Sequence, residues 1–276
     1  MNETASRSPL PVRPFLFERQ RRLLALLDAF GGSLPKVDLQ PLLFLWCQAD
    51  SRGDSIEFVP YLHGAFSFTA GAHLRRLVER GLVKDDGSGW ILTPEGKRAV
   101  GGAPDRELVS FARRHRDLRG DALVARTYRM FPYYATRSEI AERVLGGDPE
   151  ALQRIEDERP VTTPAALFTI GYEGRSLEGY LNALLGAGVT ILCDVRRNPL
   201  SRKYGFSKTT LSSVCVGIGL RYEHLPELGI AADRRTSSAR PATTLCSPST
   251  RTRACRSRGR RSGGSATGSG RVSGWP

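Results

Sequence analysis

The chain has 276 residues and a hydrophobic content of 40 %, enough for two domains that each bury a core. No apolar run approaches the roughly 20 residues that cross a bilayer, and the first residues lack the apolar stretch of a secretory signal, so we expect a cytoplasmic protein without membrane contact. The five cysteines are irregularly spaced, with no histidine at zinc-finger spacing, so neither a disulfide framework, a metal site nor a cofactor is predicted.

The positive charge of the chain is concentrated at its C-terminal end. The formal net charge is +13, and residues 234 to 276 contain ten arginines, no lysine and no acidic residue. The preceding 233 residues therefore carry only +3. A strongly basic total usually indicates a nucleic-acid partner, but here the body of the protein is barely basic.

The elements of residues 14 to 100 predict a small domain of helices and one hairpin. Leucines at helical spacing indicate a first helix, followed by a second over Lys36 to Ala49. The run Ile56 to Leu62 is typical of a strand, and Thr69 is placed to cap a third helix. Two short apolar runs flank the glycine-containing turn of residues 85 to 89, which indicates a hairpin.

The order of these elements, with the phrase GLVKDDGSGWILTPEGK after the third helix, resembles the winged helix-turn-helix domains of bacterial transcription regulators. The resemblance implies that the third helix enters the major groove of DNA and that the hairpin touches the backbone. The basic residues that would make these contacts are His73, Arg75, Arg76 and Lys84. The alternative is that they form the solvated face of a module that docks a protein partner, because acidic residues lie among them.

Residues 101 to 160 are predicted to form a charged helical connector. The phrase RTYRMFPYYATRSEIAERVL places four aromatic residues beside four arginines. These aromatic residues either pack the connector against a domain or stack on bases. The prolines at 149 and 160 interrupt the pattern, so we expect a second domain over residues 161 to 237.

The second domain is predicted to be an incomplete βαβαβ parallel sheet, which makes the protein as a whole α/β. Its three short apolar strands are Leu167 to Ile170, Val189 to Val195 and Leu220 to Leu225, with helices between them. Parallel pairing of the first two strands would bring residues 171 to 173 beside residues 194 to 196. Ligands of open α/β sheets bind at this carboxyl edge, which is therefore the predicted site.

The residue types at this edge favour an anionic ligand that carries phosphate or carboxylate groups. Guanidinium groups bind such anions in a bidentate manner, and a Gly-x-x-Gly turn before a helix can present backbone amides to an anion. The predicted ligand-binding residues are Gly171, Tyr172, Arg196, Pro199, Ser201 and Arg202.

Three further residues of this edge carry acid/base groups: Asp194, Glu173 and His224. They are the candidates for proton transfer, His224 near neutral pH. Asp194 could instead only hold Arg196 in place, and His224 could only cap a strand. Whether the protein is an enzyme is left open.

The segments TIGYEGRSLEGYLNALLGAGVTILCDVRRNPLSRKYGFSKTTL and GLRYEHLPELG, within residues 167 to 237, resemble the family known as domain of unknown function 488. The resemblance implies an α/β fold with a site at the same edge and names no reaction. The positions that match the family are Gly171, Asp194, Arg196, Pro199, Ser201, Arg202, His224 and Gly229. Family members continue to a Cys-His-Arg segment, and neither Cys246 nor Cys255 has a histidine beside it.

Residues 238 to 276 form a tail dominated by arginine, serine, threonine and glycine. This monotony is expected when GC-rich DNA is translated out of frame, and one codon choice for Ala242 to Arg251, read in a shifted frame, encodes an amphipathic helical phrase. We therefore expect a frameshift near Ser238 to Ala242 that removed the last third of the domain. The alternative is a genuine disordered basic tail that binds nucleic acid.

Three hypotheses of function follow. In the first, the winged helix binds DNA or a protein partner, while the α/β domain binds or processes a phosphate-bearing ligand such as a nucleotide. In the second, the protein is an enzyme module and the winged helix only docks it. In the third, the chain is a non-functional truncated remnant with an exposed sheet edge.

Overall fold

The computed structural model describes residues 15–50, 56–102, 105–160 and 166–229. These residues belong to one compact unit that extends from Met1 to Ala231. The architecture mixes helices with small sheets, which confirms the α/β class predicted from the sequence. The predicted disordered tail of residues 238 to 276 lies outside the described residues.

The first part of the chain forms helices around a three-stranded antiparallel sheet. Its elements are α1 (Glu18–Ala29), β1 (Ser33–Pro35), α2 (Lys36–Ala49), β2 (Val59–Tyr61), β3 (Gly64–Phe66), α3 (Phe68–Glu79), β4 (Val83–Asp85), β5 (Gly89–Leu92) and α4 (Pro94–Val100). The predicted hairpin is present as β4 and β5, and β1 pairs with β5 to give the order β1-β5-β4. The sequence did not predict β1, because three residues with one buried side chain are too few for a periodic signal.

Two local expectations for this part differ from the structure. The single strand expected over Ile56 to Leu62 is a short β2 that pairs antiparallel with β3. The cap of α3 is Ser67 rather than Thr69, because the Ser67 Oγ accepts the Ala70 N–H at 3.2 Å. Thr69 lies inside the helix, and its N–H and hydroxyl groups donate to Glu178.

The middle of the chain consists of short helices that pack against the first part. They are α5 (Arg106–Arg114), α6 (Gly120–Met130), a 3-10 turn (Pro132–Ala135), α7 (Ala141–Val144) and α8 (Pro149–Asp157). Leu108, Phe111 and Leu123 belong to the same hydrophobic core as the leucines of α1 and α2. Tyr128 belongs to a smaller core with α8. This segment, predicted as a helical connector, is thus packed against the N-terminal elements through its helices.

The last described part contains α9 (Leu177–Gly186), β6 (Ile191–Asp194), α10 (Lys208–Gly217), β7 (Arg221–His224) and a 3-10 turn (Pro226–Leu228). β6 and β7 are parallel, with Asp194 opposite His224. The predicted strand Leu167 to Ile170 is absent, so the expected βαβαβ sheet contains one βαβ unit. Leu167 is 95 % exposed and Phe168 is 54 % exposed, because this segment has no ladder partner within the described residues.

No helix in the described ranges combines the length and the apolar character needed to span a membrane. No group of three or more histidine, cysteine, aspartate or glutamate side chains that could hold a metal ion occurs in the same ranges.

Candidate functional site

The carboxyl ends of β6 and β7 carry a hydrogen-bonded network centred on Asp194, which is 6 % exposed. Arg196 binds this carboxylate in a bidentate manner, with Nε donating to Oδ1 at 2.8 Å and Nη2 donating to Oδ2 at 2.6 Å. The Arg196 backbone N–H also donates to Oδ1, at 3.1 Å. Tyr222 Oη donates to Oδ2 at 2.7 Å. The buried charge is thus paired and hydrogen-bonded, as burial of a carboxylate requires.

These contacts set the protonation states of the network. Burial by itself would raise the pKa of Asp194, but the hydrogen bonds from Arg196 and Tyr222 outweigh it and lower that pKa to about 2. The hydrogen bond to Asp194 raises the pKa of the Arg196 guanidinium. Burial, followed by the hydrogen bond to Asp194, raises the pKa of Tyr222. Near neutral pH Asp194 is therefore a weakly basic carboxylate beside a protonated phenol.

The Arg196 guanidinium is largely engaged within the protein. Its Nη1 donates to the Phe206 backbone oxygen at 2.8 Å, and it lies 5.4 Å from the centre of the Tyr172 ring. Tyr172 in turn stacks on Phe206, with ring centres 4.8 Å apart. Arg196 therefore links Asp194, at the start of the loop between β6 and α10, to Phe206, near its end. It also contacts the ring of Tyr172.

His224 is hydrogen-bonded on both ring nitrogens. Nε2 lies 2.8 Å from the Arg196 backbone oxygen, and Nδ1 lies 2.9 Å from Lys208 Nζ. Because a carbonyl oxygen only accepts, the proton of the neutral imidazole belongs on Nε2, which leaves Nδ1 to accept from the lysine. Lys208 and His224 thus form a pair at the carboxyl edge of the sheet, beside the network of Asp194.

The other predicted residues of this edge are distributed differently. Gly171 and Glu173 are exposed, and no strand pairing brings them beside β6. Tyr172 reaches the site by ring stacking, and its backbone oxygen accepts a hydrogen bond from Lys203 Nζ at 3.1 Å. The structure therefore brings together Tyr172, Asp194, Arg196 and His224.

The loop residues Pro199, Ser201 and Arg202 follow the network. Pro199 is buried, and its backbone oxygen accepts the N–H of Lys208 at 2.9 Å. The Ser201 N–H donates to Ser207 Oγ at 3.1 Å, and the Ser207 hydroxyl donates back to the Ser201 oxygen at 3.0 Å. Arg202 is exposed. The first two residues shape the loop, while Arg202 presents its charge to solvent.

The residues predicted to contact nucleic acid lie on two elements. Arg75 and Arg76 are exposed on α3, and Lys84 is exposed on β4. His73 is half-buried, and its ring centre lies 6.4 Å from that of Phe17. Burial, followed by the charges of Arg19 and Arg76, lowers the pKa of His73. The structure therefore adds Arg19, a residue of α1, to the predicted cationic face of α3.

The first turn of α3 is covered by the last part of the chain. Glu178 of α9 is 1 % exposed. Its carboxylate accepts the Thr69 N–H at 2.7 Å, the Thr69 hydroxyl at 2.8 Å and the Ser67 hydroxyl at 3.1 Å. Tyr204 Oη donates to the Phe68 backbone oxygen at 3.1 Å. The apolar core beneath α9 also includes Val59 from β2.

The sequence interpretation missed four of these residues. Tyr222 had a usable signal, because strand alternation places residues 222 and 224 on one face of β7. Lys208 is the first residue of α10 and resembles any exposed lysine at the start of a helix. Glu178 lies in the first turn of its own helix, where acidic residues are common, so its sequence position suggests no distant partner. Tyr204 resembles an ordinary exposed loop residue. Their partners are distant in sequence, so no local pattern reveals them.

The fold and the site define an α/β protein in which a two-stranded parallel sheet presents a carboxylate-guanidinium network and a histidine-lysine pair at its carboxyl edge. Residues 176–249 match the family model described as Domain of unknown function DUF488. This match confirms the predicted resemblance, with a range that begins at the cap of α9 and continues past the predicted end at residue 237. No curated protein and no solved structure matches the chain.

Proposed function

We propose that residues 14 to 100 are a winged helix-turn-helix domain that binds nucleic acid through the exposed face of α3. The observation that carries this proposal is a group of unneutralised arginines on that face. Arg75, Arg76 and Arg80 are exposed, and none of them forms an ion pair with another residue in the described part of the chain. Phosphate groups would supply the missing counter-charge.

The order of the elements supports the same proposal. Three helices, the hairpin of β4 and β5, and a β1 strand that pairs with β5 follow the sequence of a helix-turn-helix with a wing. Arg19 adds a further charge beside His73 and Arg76. Two aromatic residues just before α1, Phe15 and Phe17, are 75 % and 57 % exposed, and the ring centre of Phe17 lies 6.4 Å from that of His73. Cations interleaved with aromatic rings are typical of nucleic-acid-binding surfaces.

A charge-reversal series on the full chain tests this proposal. The double substitution Arg75→Glu, Arg76→Glu should weaken binding to a fluorescein-labelled duplex by about 100-fold at low salt and reduce the slope of log K against log salt by about 2. Arg154→Glu, at an exposed arginine of α8, measures the general effect of one charge reversal, which the double substitution applies twice. Because every variant keeps the arginine-rich tail, equal affinity of the double variant and the wild type would show that binding occurs elsewhere on the chain and would contradict the proposed role of α3.

We further propose that the carboxyl edge of β6 and β7 binds a phosphate-bearing ligand such as a nucleotide. Lys208 contacts His224 at this edge, Lys203 contacts Tyr172, and Arg202 is exposed in the same loop, while Asp194 is already neutralised by Arg196. Thermal unfolding with increasing inorganic phosphate, ATP or GMP should show stabilisation that Lys208→Ala reduces. An identical response of wild type and Lys208→Ala would contradict a ligand at this edge.

A second candidate function is an enzyme module that the winged helix only docks. It is favoured by the contacts of Glu178 and Tyr204 with the first turn of α3, because that turn then serves an internal interface. Under this hypothesis the Arg75→Glu, Arg76→Glu variant keeps full affinity for nucleic acid, and ligand stabilisation depends on Lys208.

A third candidate is a remnant produced by a frameshift near Ser238 to Ala242. The family match continues to residue 249, past the expected start of the shifted frame, so the match opposes this candidate and only the missing Cys-His-Arg ending favours it. Resequencing the locus tests this proposal: the expected result is a +1 or −1 frame that restores a Cys-His-Arg ending. A locus whose alternative frames encode no such ending contradicts it.

A further inference from the structure

We propose that α3 and the loop between β6 and α10 form one cationic surface that fits the phosphate backbone of a nucleic-acid duplex, whatever its sequence. This inference rests on the proposed function of α3 and extends it to the DUF488 segment. It unites two anion-binding features that the sequence predicted separately, the arginines of α3 and the basic loop around Arg202.

The two elements are in direct contact through Tyr204. The Tyr204 hydroxyl donates to the Phe68 backbone oxygen at the start of α3, at 3.1 Å. Burial raises the pKa of Tyr204, while the charge of Arg75 and a hydrogen bond from its guanidinium oppose that rise. The loop therefore touches the start of α3 through the Tyr204 hydroxyl, and Arg75 lies close enough to influence the same hydroxyl.

The loop carries two cations next to Tyr204 in sequence. Arg202 and Lys203 are exposed and directly precede Tyr204, and because Lys203 Nζ binds the Tyr172 backbone oxygen, Arg202 is the loop cation left for this surface. Since consecutive Cα atoms are about 3.8 Å apart, the Cα atom of Arg202 lies within about 7.6 Å of that of Tyr204. Arg202, like Arg76, forms no ion pair with any residue that the structure describes. The loop thus places a cation without an ion-pair partner two residues from the contact with α3.

The covered first turn of α3 limits what this surface can recognise. In a helix-turn-helix protein the N-terminal residues of the recognition helix contact base edges in the major groove. Here the amide and hydroxyl of Thr69 bind Glu178, which is 1 % exposed. The exposed remainder of α3 offers arginines, which suit phosphate contacts that position a duplex without reading its sequence.

Single charge reversals in the full chain, measured against several unrelated duplexes, test the composite surface. Arg202→Glu, in the loop, should weaken binding as much as Arg76→Glu, in α3. We expect about a tenfold loss for each at low salt, and a decrease of about 1 in the salt slope. Arg154→Glu on α8 is the control of equal charge, and thermal unfolding of each variant verifies that the fold is intact.

The possible outcomes separate the inference from the proposed function. Equal losses for Arg202→Glu and Arg76→Glu on every duplex support the inference. A loss for Arg76→Glu alone overturns the composite surface and leaves the proposed function of α3 in place. Selection from a randomised duplex library that enriches one motif overturns backbone recognition. If neither substitution weakens binding, both the inference and the proposed function fail.

Discussion

Two buried carboxylates, Glu178 and Asp194, hold different contacts of the molecule. Glu178 joins α9 to the start of α3 through three hydrogen bonds, whereas Asp194 holds Arg196 and Tyr222 within its own sheet. Truncation of either side chain leaves buried donors without an acceptor, and this loss costs more than the bond itself contributes. Their effects on stability therefore report on separate parts of the structure.

Glu178→Ala should lower the free energy of unfolding by about 3 kcal/mol, because the buried Ser67 and the half-buried Thr69 lose their acceptor. Glu178→Gln should cost less, since the amide oxygen still accepts one hydrogen bond. Urea denaturation provides the measurement. The control is Glu150→Ala at an exposed position of α8, for which we expect a change below about 1 kcal/mol.

Asp194→Asn should reduce stability in a pH-dependent manner. The folded-state pKa of Asp194, about 2, lies below its ordinary value of 3.8. Its stabilisation is therefore complete above about pH 5 and is lost as the pH falls towards 2. We expect a difference from wild type of up to about 2 kcal/mol at pH 7 that shrinks between pH 5 and pH 2.

Urea denaturation at a series of pH values measures this difference. Asp157→Asn, at an exposed position of α8, is the control for the general effect of acid. A difference between wild type and Asp194→Asn that is constant from pH 7 to pH 2 would contradict the role assigned to the ionised carboxylate.

At the scale of elements, the start of α4 lies directly against the strand hairpin. A Cβ atom at Gly96 would lie 2.0 Å from the Leu82 backbone oxygen and 2.8 Å from Leu92 Cδ1. Thr93 fixes this approach, because its Oγ1 accepts the Gly96 N–H and donates to the Gly81 oxygen at 2.8 Å. Glycine is thus required by contact, although its backbone conformation is an ordinary helical one.

Gly96→Ala should therefore destabilise the protein by about 2 to 3 kcal/mol, since the strand backbone must shift to accept the methyl group. Gly71→Ala is the matched substitution in α3, where an added Cβ atom meets nothing within 4 Å. It should stabilise the helix by about 0.5 to 1 kcal/mol. Thermal denaturation of the two variants should give shifts of opposite sign, and shifts of the same sign would contradict the packing described.

At the scale of the whole molecule, the described residues that match the DUF488 model, 176 to 229, share their core with the N-terminal elements. Val59 of β2 is fully buried among the leucines of α9, with Tyr61 and Phe68 packed at the edge of the same cluster. Asn182 of α9 donates to the Phe58 backbone oxygen at 2.7 Å and accepts from Tyr133 at 3.0 Å. Residues far apart in sequence therefore depend on each other for burial.

This shared core predicts a single cooperative unfolding transition. In a Trp275→Phe background the remaining tryptophans, Trp46 and Trp90, report on the N-terminal elements alone, while circular dichroism reports on all helices. The two signals should give one midpoint in urea, and Val59→Ala should shift both by an amount equivalent to about 2 kcal/mol. Separate midpoints for the two signals would show that the parts unfold independently.

Local sequence patterns determined those features that depend on neighbouring residues. The helix Lys36–Ala49 and the hairpin of β4 and β5 follow from apolar spacing and turn glycines. The parallel pairing of β6 and β7 followed from the strand-helix-strand pattern. The contact of Asp194 with Arg196 followed from their spacing of two residues. The predicted strand over residues 167 to 170 failed because apolar character alone does not supply a pairing partner.

Only the tertiary structure decided which surfaces are left free. Glu178 and Thr69 are 109 residues apart, and Lys208 and His224 meet across α10 and β7. Such contacts depend on how preformed elements pack to bury Val59 and the leucines of α9, and no periodic pattern encodes that packing. The sequence by itself thus determined the helices, the hairpin and the carboxyl edge, whereas packing determined that α9 covers the first turn of α3 and that Tyr204 meets Arg75.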